Sequence, residues 1–401
     1  MGTTSGTRVQ GHVEEGWGKV ADAFRANFAG NPGEVGAACC VYVGGRPVVD
    51  LWGGLADREA NRPWGKDTIV AVASTTKGAA AICAHLLVQR GEVDLDAPVV
   101  KYWPEFGAAG KELIPVRWLL SHRAGLPVLD VSLTPEQVYA WDPITDALAA
   151  QKPVWEPGTK HGYHAVTYGF LVGEVIRRIT GTSVGQYLAD NVTGPLGAEF
   201  YIGLPEAHEA RVSRLIEMSL EPTAEQREMF KSLDVNTLPP NMRAIVTAFL
   251  DPNSLSLRAL TLTKPAMDFN SRAMHAAEVP AANGICTARG LARMYAGLIG
   301  DVDGVRILDD ATIANAIVEQ SNGPDAVLVK DTRFGLGFFL KSDDQPMMGP
   351  RSFGHDGAGG SMAFADPDSG LAFGYVMNKM QANLSADPRP VALIDAVKNC
   401  P

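Results

Sequence analysis

Cysteine is scarce. There are five in 401 residues (Cys39, Cys40, Cys83, Cys286 and Cys400), with no Cys-x-x-Cys pair and no His/Cys run at metal-ligand spacing. No disulfide framework, structural metal or other cofactor is therefore expected, and a reduced, cytoplasmic compartment fits. Long apolar runs are missing too. None approaches the roughly 20 residues a bilayer span needs, and residues 1–8 lack the basic-then-apolar order of a secretory leader. Positive charge is also short. Against 45 Asp+Glu there are only 35 Lys+Arg, a net charge of −10, which argues against nucleic acid or an anionic membrane as the main partner. A small neutral substrate is untouched by that argument, and a homo-oligomer stays open.

What is present is an ordinary globular composition, 46% hydrophobic, in a chain longer than one hydrophobic core usually serves. The periodicity predicts a first helix over 14–28, where Trp17, Val20, Phe24 and Phe28 step by three and four. Strands follow at 35–43 and 48–52 around the turn Gly44-Gly45-Arg46-Pro47. The far end mirrors this with strands at 352–355, 361–365 and 371–377, the last two joined by Asp366-Pro367-Asp368-Ser369-Gly370, and a closing helix over 391–399. Tight turns imply an antiparallel sheet. Between the ends the pattern is helical, at 74–90, 134–149 (Thr134 capping, Pro135 first), 165–180 and 287–298. The expected class is therefore α/β of the α+β kind. An antiparallel sheet domain comes from residues 1–73 and 280–401, and a mainly helical domain from 74–279, with a lid-like insertion at 229–279 and the active site at the interface.

The strongest chemical signal is Ser74-Thr75-Thr76-Lys77, the sole Ser-x-x-Lys in the chain. On a helix start, Lys77 projects from the same face as Ser74. A serine hydroxyl becomes a nucleophile only when a base takes its proton. An ammonium cannot do so; burial, which disfavours the charged form, can leave the amine free to act. The Ser74 N–H at a helix N-terminus is a candidate oxyanion donor. Alone, the tetrapeptide equally describes a capping serine and a solvated lysine, but Lys77 sits in an uncharged stretch over 68–84. Tyr163, after the turn Pro157-Gly158-Thr159, can aim a phenol into a cleft and relay the proton; the alternative is a packed helix-start tyrosine. The run His355-Asp356-Gly357-Ala358-Gly359-Gly360 ends a strand, where glycine lets backbone approach a ligand. The Ala358 N–H is the candidate second oxyanion donor, with His355, Gly357 and Gly359 lining the substrate; a solvated hairpin turn is the plainer reading. Ser121-His122 reads as a helix-terminating turn, and His85 as a packed or capped surface residue. No P-loop or dinucleotide fingerprint occurs.

Ser74-x-x-Lys77, Tyr163-His164-Ala165 and His355-Asp356-Gly357, in this order, resemble the serine β-lactamase/penicillin-binding superfamily, for which Ser-x-x-Lys is a signature. Within it the chain is similar to the family VIII carboxylesterases, relatives of class C β-lactamases, over about residues 10–395. Asp50-Leu51-Trp52-Gly53-Gly54, Leu119-Leu120-Ser121-His122-Arg123-Ala124-Gly125-Leu126-Pro127 and Pro280-Ala281-Ala282-Asn283-Gly284 add to the likeness. The resemblance implies a β-lactamase-like fold and a serine hydrolase, with Ser74 as nucleophile and Lys77/Tyr163 as general base and acid. Class C enzymes carry Tyr-x-Asn and Lys-Thr-Gly at the second and third motifs. This chain lacks that amide and that permanent cation, so an ester of short to medium acyl chain is the expected substrate. β-Lactam, D-amino peptide and acyl-transfer chemistry are the alternatives.

Overall fold

The stretch Gly36–Val43 (GAACCVYV) carries small and β-favouring residues at every position and is buried on both faces. A strand like that belongs in the middle of a sheet with helices on each side. The computed structural model describes residues 7–30, 33–216, 243, 246–248, 251, 253–381 and 386–401. In it, the main sheet is built in chain order from β1 (Val9–Val13), β2 (Gly36–Val43), β3 (Arg46–Asp57) and β4 (Arg62–Pro63). A small sheet takes β5 (Val70–Ala71), β6 (Phe200–Tyr201) and β7 (Ile285–Cys286). The main sheet then resumes with β8 (Ser321–Pro324), β9 (Asp331–Phe334), β10 (Phe339–Leu340), β11 (Phe353–Asp356), β12 (Met362–Asp366) and β13 (Leu371–Met377).

The main sheet runs β1-β3-β2-β13-β12-β11-β10-β9-β8, with β4 paired to β3 and every pairing antiparallel. Both chain ends therefore meet at its centre, where Cys40 lies opposite Gly374. Alternation along β2 sends Cys39 and Val41 into one core, with Trp17, Val20 and Phe24 of helix Gly18–Ala29 and Leu393 and Ile394 of helix Pro388–Val397. Ala38, Cys40 and Tyr42 enter the other, with Leu291, Ala292 and Tyr295 of helix Ala288–Ile299. That helix lies directly on β13, since a Cβ on Gly374 would come 2.6 Å from the Ala288 carbonyl oxygen. Glycine is what lets the two backbones touch.

Most expected elements appear, shifted by a few residues. The helix expected over 134–149 is instead two, Pro135–Tyr139 and Asp142–Ala150, broken at Trp141, whose φ is +69°. Pro143 explains the break, because its ring would meet the carbonyl four residues back in a continuous helix. The Thr134 cap forms a capping box with Gln137. His85 is not a surface residue: it is fully buried in helix Thr76–Gln89, with Nε2 2.8 Å from the Leu336 carbonyl oxygen. Strand β1 and strands β4 to β10 are additional to those expected. Of the segment at 229–279, residues 253–279 are described and hold helices Leu255–Leu260 and Arg272–Ala276. Residues 229–242, 244–245, 249–250 and 252 of that expected insertion lie outside the described residues. Among the described residues, no helix is long and apolar enough to cross a membrane.

Candidate active site

Chain direction reverses sharply between β5 and helix Thr76–Gln89. Val72 N–H donates to the Gly284 carbonyl (2.9 Å), and Gly284 N–H donates to Thr76 Oγ1 (2.8 Å), so the turn is pinned to the 280s loop. Ala73 takes φ +44° at its tip, a conformation an alanine adopts only under constraint. Ser74 follows it, half-buried and just ahead of the helix.

Lys77 is fully buried one turn on. Its Nζ donates to the carbonyls of Ala165 (2.6 Å) and Ala281 (3.0 Å) and lies 3.2 Å from Ser74 Oγ. A neutral amine has two N–H bonds and one lone pair. With both N–H groups held by carbonyls, the lone pair is left for the serine proton. Desolvation pushes the ammonium well below the usual lysine range, opposed by the field of Asp356. Asn283 fixes the loop that offers Ala281, its amide donating to Met274 O and Ala277 O and accepting from Val279 N–H.

Tyr163 stacks its ring 4.6 Å from Lys77 Nζ. Burial drives its phenol well above the usual range, while a hydrogen bond with Ser74 opposes this. Its backbone is clamped: Tyr163 N–H donates to Asp325 Oδ1 (2.9 Å), which also accepts from Val327 and Leu328 N–H. Asp325 Oδ2 accepts from Thr332 Oγ1, itself 2.9 Å from His161 Nε2. His164 Nε2 accepts from Leu126 N–H, and His122 Nδ1 accepts from His164 N–H. The His122 ring lies 5.0 Å from that of Tyr163. Nothing near these residues in sequence announces Asp325, whose contact spans 162 positions. His122, read as part of a turn, does sit at a positive-φ turn and also walls the phenol.

The third wall is the end of β11. His355 is 1% exposed, its Nδ1 2.6 Å from the Asp356 carbonyl oxygen and its Nε2 buried without a hydrogen-bond partner among the described residues. Burial and the nearby Lys77 lower it to about 3, so it is neutral. Burial raises Asp356, with Gln345 hydrogen-bonded to it opposing. Gly357 packs against the turn that carries Ser74 so closely that a Cβ would overlap Ser361 Oγ and the Val72 carbonyl. Ser361 Oγ donates to that carbonyl (2.8 Å) and meets Thr75 Oγ1 at 3.0 Å. Neither Ser74 N–H nor Ala358 N–H has an acceptor among the described residues. The carbonyl of Gly359 accepts from Gln381 N–H (3.1 Å) and from Arg389. No three His, Cys, Asp or Glu side chains among the described residues gather to hold a metal ion.

A family model described as beta-lactamase matches residues 21–398. The chain belongs to the beta-lactamase family. It is 33% identical over 388 residues, 96% of this chain and 86% of the relative, to the esterase/beta-lactamase LipL of Mycobacterium tuberculosis (strain ATCC 25618 / H37Rv). A crystal structure of a family VIII carboxylesterase superposes with a TM-score of 0.85 at 39% identity, covering 98% of this chain and all of that one. A penicillin-binding protein homologue from Caulobacter crescentus gives 0.83 at 36% identity, over 98% and 99%. In this beta-lactamase-family chain His355 is held neutral at the end of β11.

Proposed function

We propose that the protein is a carboxylesterase acting on neutral esters of short to medium acyl chain through an acyl-enzyme on Ser74. The observation that carries this is the fully buried Lys77 amine, two of its donors engaged by carbonyls and its third direction facing Ser74 Oγ at 3.2 Å. Ser74 Oγ attacks the ester carbon as its proton passes to Lys77, directly or through Tyr163. The N–H groups of Ser74 and Ala358 hold the developing oxyanion. The tetrahedral species collapses, the C–O bond breaks, and the proton returns to the leaving alcohol. Water then attacks the acyl carbon, giving its proton to the same pair, and the acid leaves with Ser74 restored. The named esterase relatives support the substrate class, as does a site whose His355 and Lys77 are both held neutral.

Ser74→Ala should fold normally and lose turnover of p-nitrophenyl butyrate; retained turnover would place the nucleophile elsewhere. Lactam hydrolysis is the second reading, favoured by the names of LipL and the penicillin-binding homologue. Nitrocefin assayed beside the ester separates the two, and product ratios with added alcohol detect acyl transfer.

A further inference from the structure

The oxyanion loop is held from behind as well as from in front. Within residues 357–361, Gly357 N–H donates to Ser361 O (2.8 Å) and Gly360 N–H donates to Gly357 O (3.0 Å). A trans peptide places its C=O and the following N–H on opposite sides. Drawing the Gly357 carbonyl inward to Gly360 therefore turns the Ala358 N–H outward. The turn needs a residue at positive φ after Ala358, and Gly359 supplies it at +91°.

Behind that turn stands Arg389, on helix Pro388–Val397 and 4% exposed. Each of its five N–H donors is used. Nε and one Nη2 hydrogen go to Asp387 Oδ1 and Oδ2 (2.9 and 2.8 Å). Nη1 donates to Glu34 Oε2 (2.9 Å) and the Lys379 carbonyl (2.8 Å), and the remaining Nη2 hydrogen to the Gly359 carbonyl. The fit leaves no room: a Cβ on Gly360 would come 2.6 Å from Asp387 Oδ2. A planar fork with five fixed donors can span two carboxylates and two carbonyls; an ammonium, with three donors from one point, cannot. Burying such a cluster contributes little net stability, since desolvation offsets the pairing.

We propose that Arg389, fixed by Glu34 and Asp387, is a positioning residue that aims the Ala358 N–H at the oxyanion. It touches no reacting atom and acts through the Gly359 carbonyl. The inference rests on the esterase reading above. The test compares full-length parent, Ser74→Ala and Arg389→Lys, with active sites counted by a fluorophosphonate probe. Arg389→Lys should lower kcat per titrated site by about 10²-fold, the cost of a lost oxyanion donor, with KM for p-nitrophenyl butyrate within threefold. Affinity for a trifluoromethyl ketone, whose carbonyl carbon adds Ser74 Oγ to give a hemiketal oxyanion that occupies the hole, should fall by a similar factor. Should that variant fail to fold, Glu34→Gln/Arg389→Met/Asp387→Asn removes the whole charge cluster and is read the same way. An unchanged kcat per titrated site, with only the active fraction reduced, would make Arg389 a stability residue and overturn the inference alone. Retained turnover in Ser74→Ala would overturn the esterase reading, and this inference with it.

Discussion

Lys77 concentrates the conflict between folding and chemistry in one side chain. An amine buried among carbonyls and aromatic rings is held well below its free range by desolvation. The unfolded chain therefore binds its proton more tightly, and folding loses stability across neutral pH, where the proposed mechanism needs the amine free. Lys77→Met should lower ester turnover by about 10²- to 10⁴-fold and remove the rising limb from the pH profile of the residual rate, while the melting temperature stays level or rises. A lower melting temperature with activity retained would mean that the amine is structural. Serine and lysine three residues apart could be read from the sequence because their geometry is local, set by one helical turn. Asp325 and Arg389 could not. Asp325 meets the Tyr163 backbone across 162 positions, and Arg389 reaches the Gly359 carbonyl across 30. His85 was misplaced outside the core because a single polar residue in a helix does not disclose what lies above it.

At the scale of elements, the crevice is the seam between the turn before helix Thr76–Gln89 and the loop after β11. Gly357 is the point of closest approach, with the Ser361 hydroxyl and Val72 carbonyl already occupying the space a methyl would need. Gly357→Ala should push the loop off the nucleophile turn and cost about 10²-fold in kcat, checked by p-nitrophenyl butyrate kinetics with circular dichroism confirming the fold. Activity within threefold of the parent would show that the loop can move without misaligning the Ala358 N–H. Strands with long β-favouring runs and tight turns, such as β2 and β13, were legible. Strands β8 to β10 were not: they span two to four residues with glycine and charge among them, and owe their pairing to neighbours already in place. The division at Trp141 has a visible cause in Pro143, whereas the Thr134 cap and Pro135 mark only where a helix begins.

Across the whole molecule, buried bases dominate the response to acid. Burial lowers His85 to about 4 and His164 and His355 to about 3, and puts His122 well below its usual value. In the unfolded chain these groups take up protons near pH 6.5. Stability is thus complete above that value and lost as pH falls towards the folded-state values, by about 1.4 kcal/mol per pH unit for each group. Glu34, raised to about 7 by burial, pulls the other way between 4.5 and 7, as do the raised Glu278 and Asp356. The histidines outnumber them. Urea midpoints should fall from pH 8 to pH 5 with the slope m unchanged, and His85→Phe should flatten that fall by roughly one proton's worth. A midpoint that climbs on acidification would show the carboxyls in control.

The meeting of both chain ends in one sheet also governs the order in which the protein is made. Thr75 leaves the ribosome 286 residues ahead of the Ser361 hydroxyl that anchors its loop. Arg389 comes later still. A nascent chain that has not yet reached residue 361 holds Ser74 and Lys77 with no wall opposite them, so on the proposed mechanism it would carry its nucleophile and base before the loop that completes the crevice.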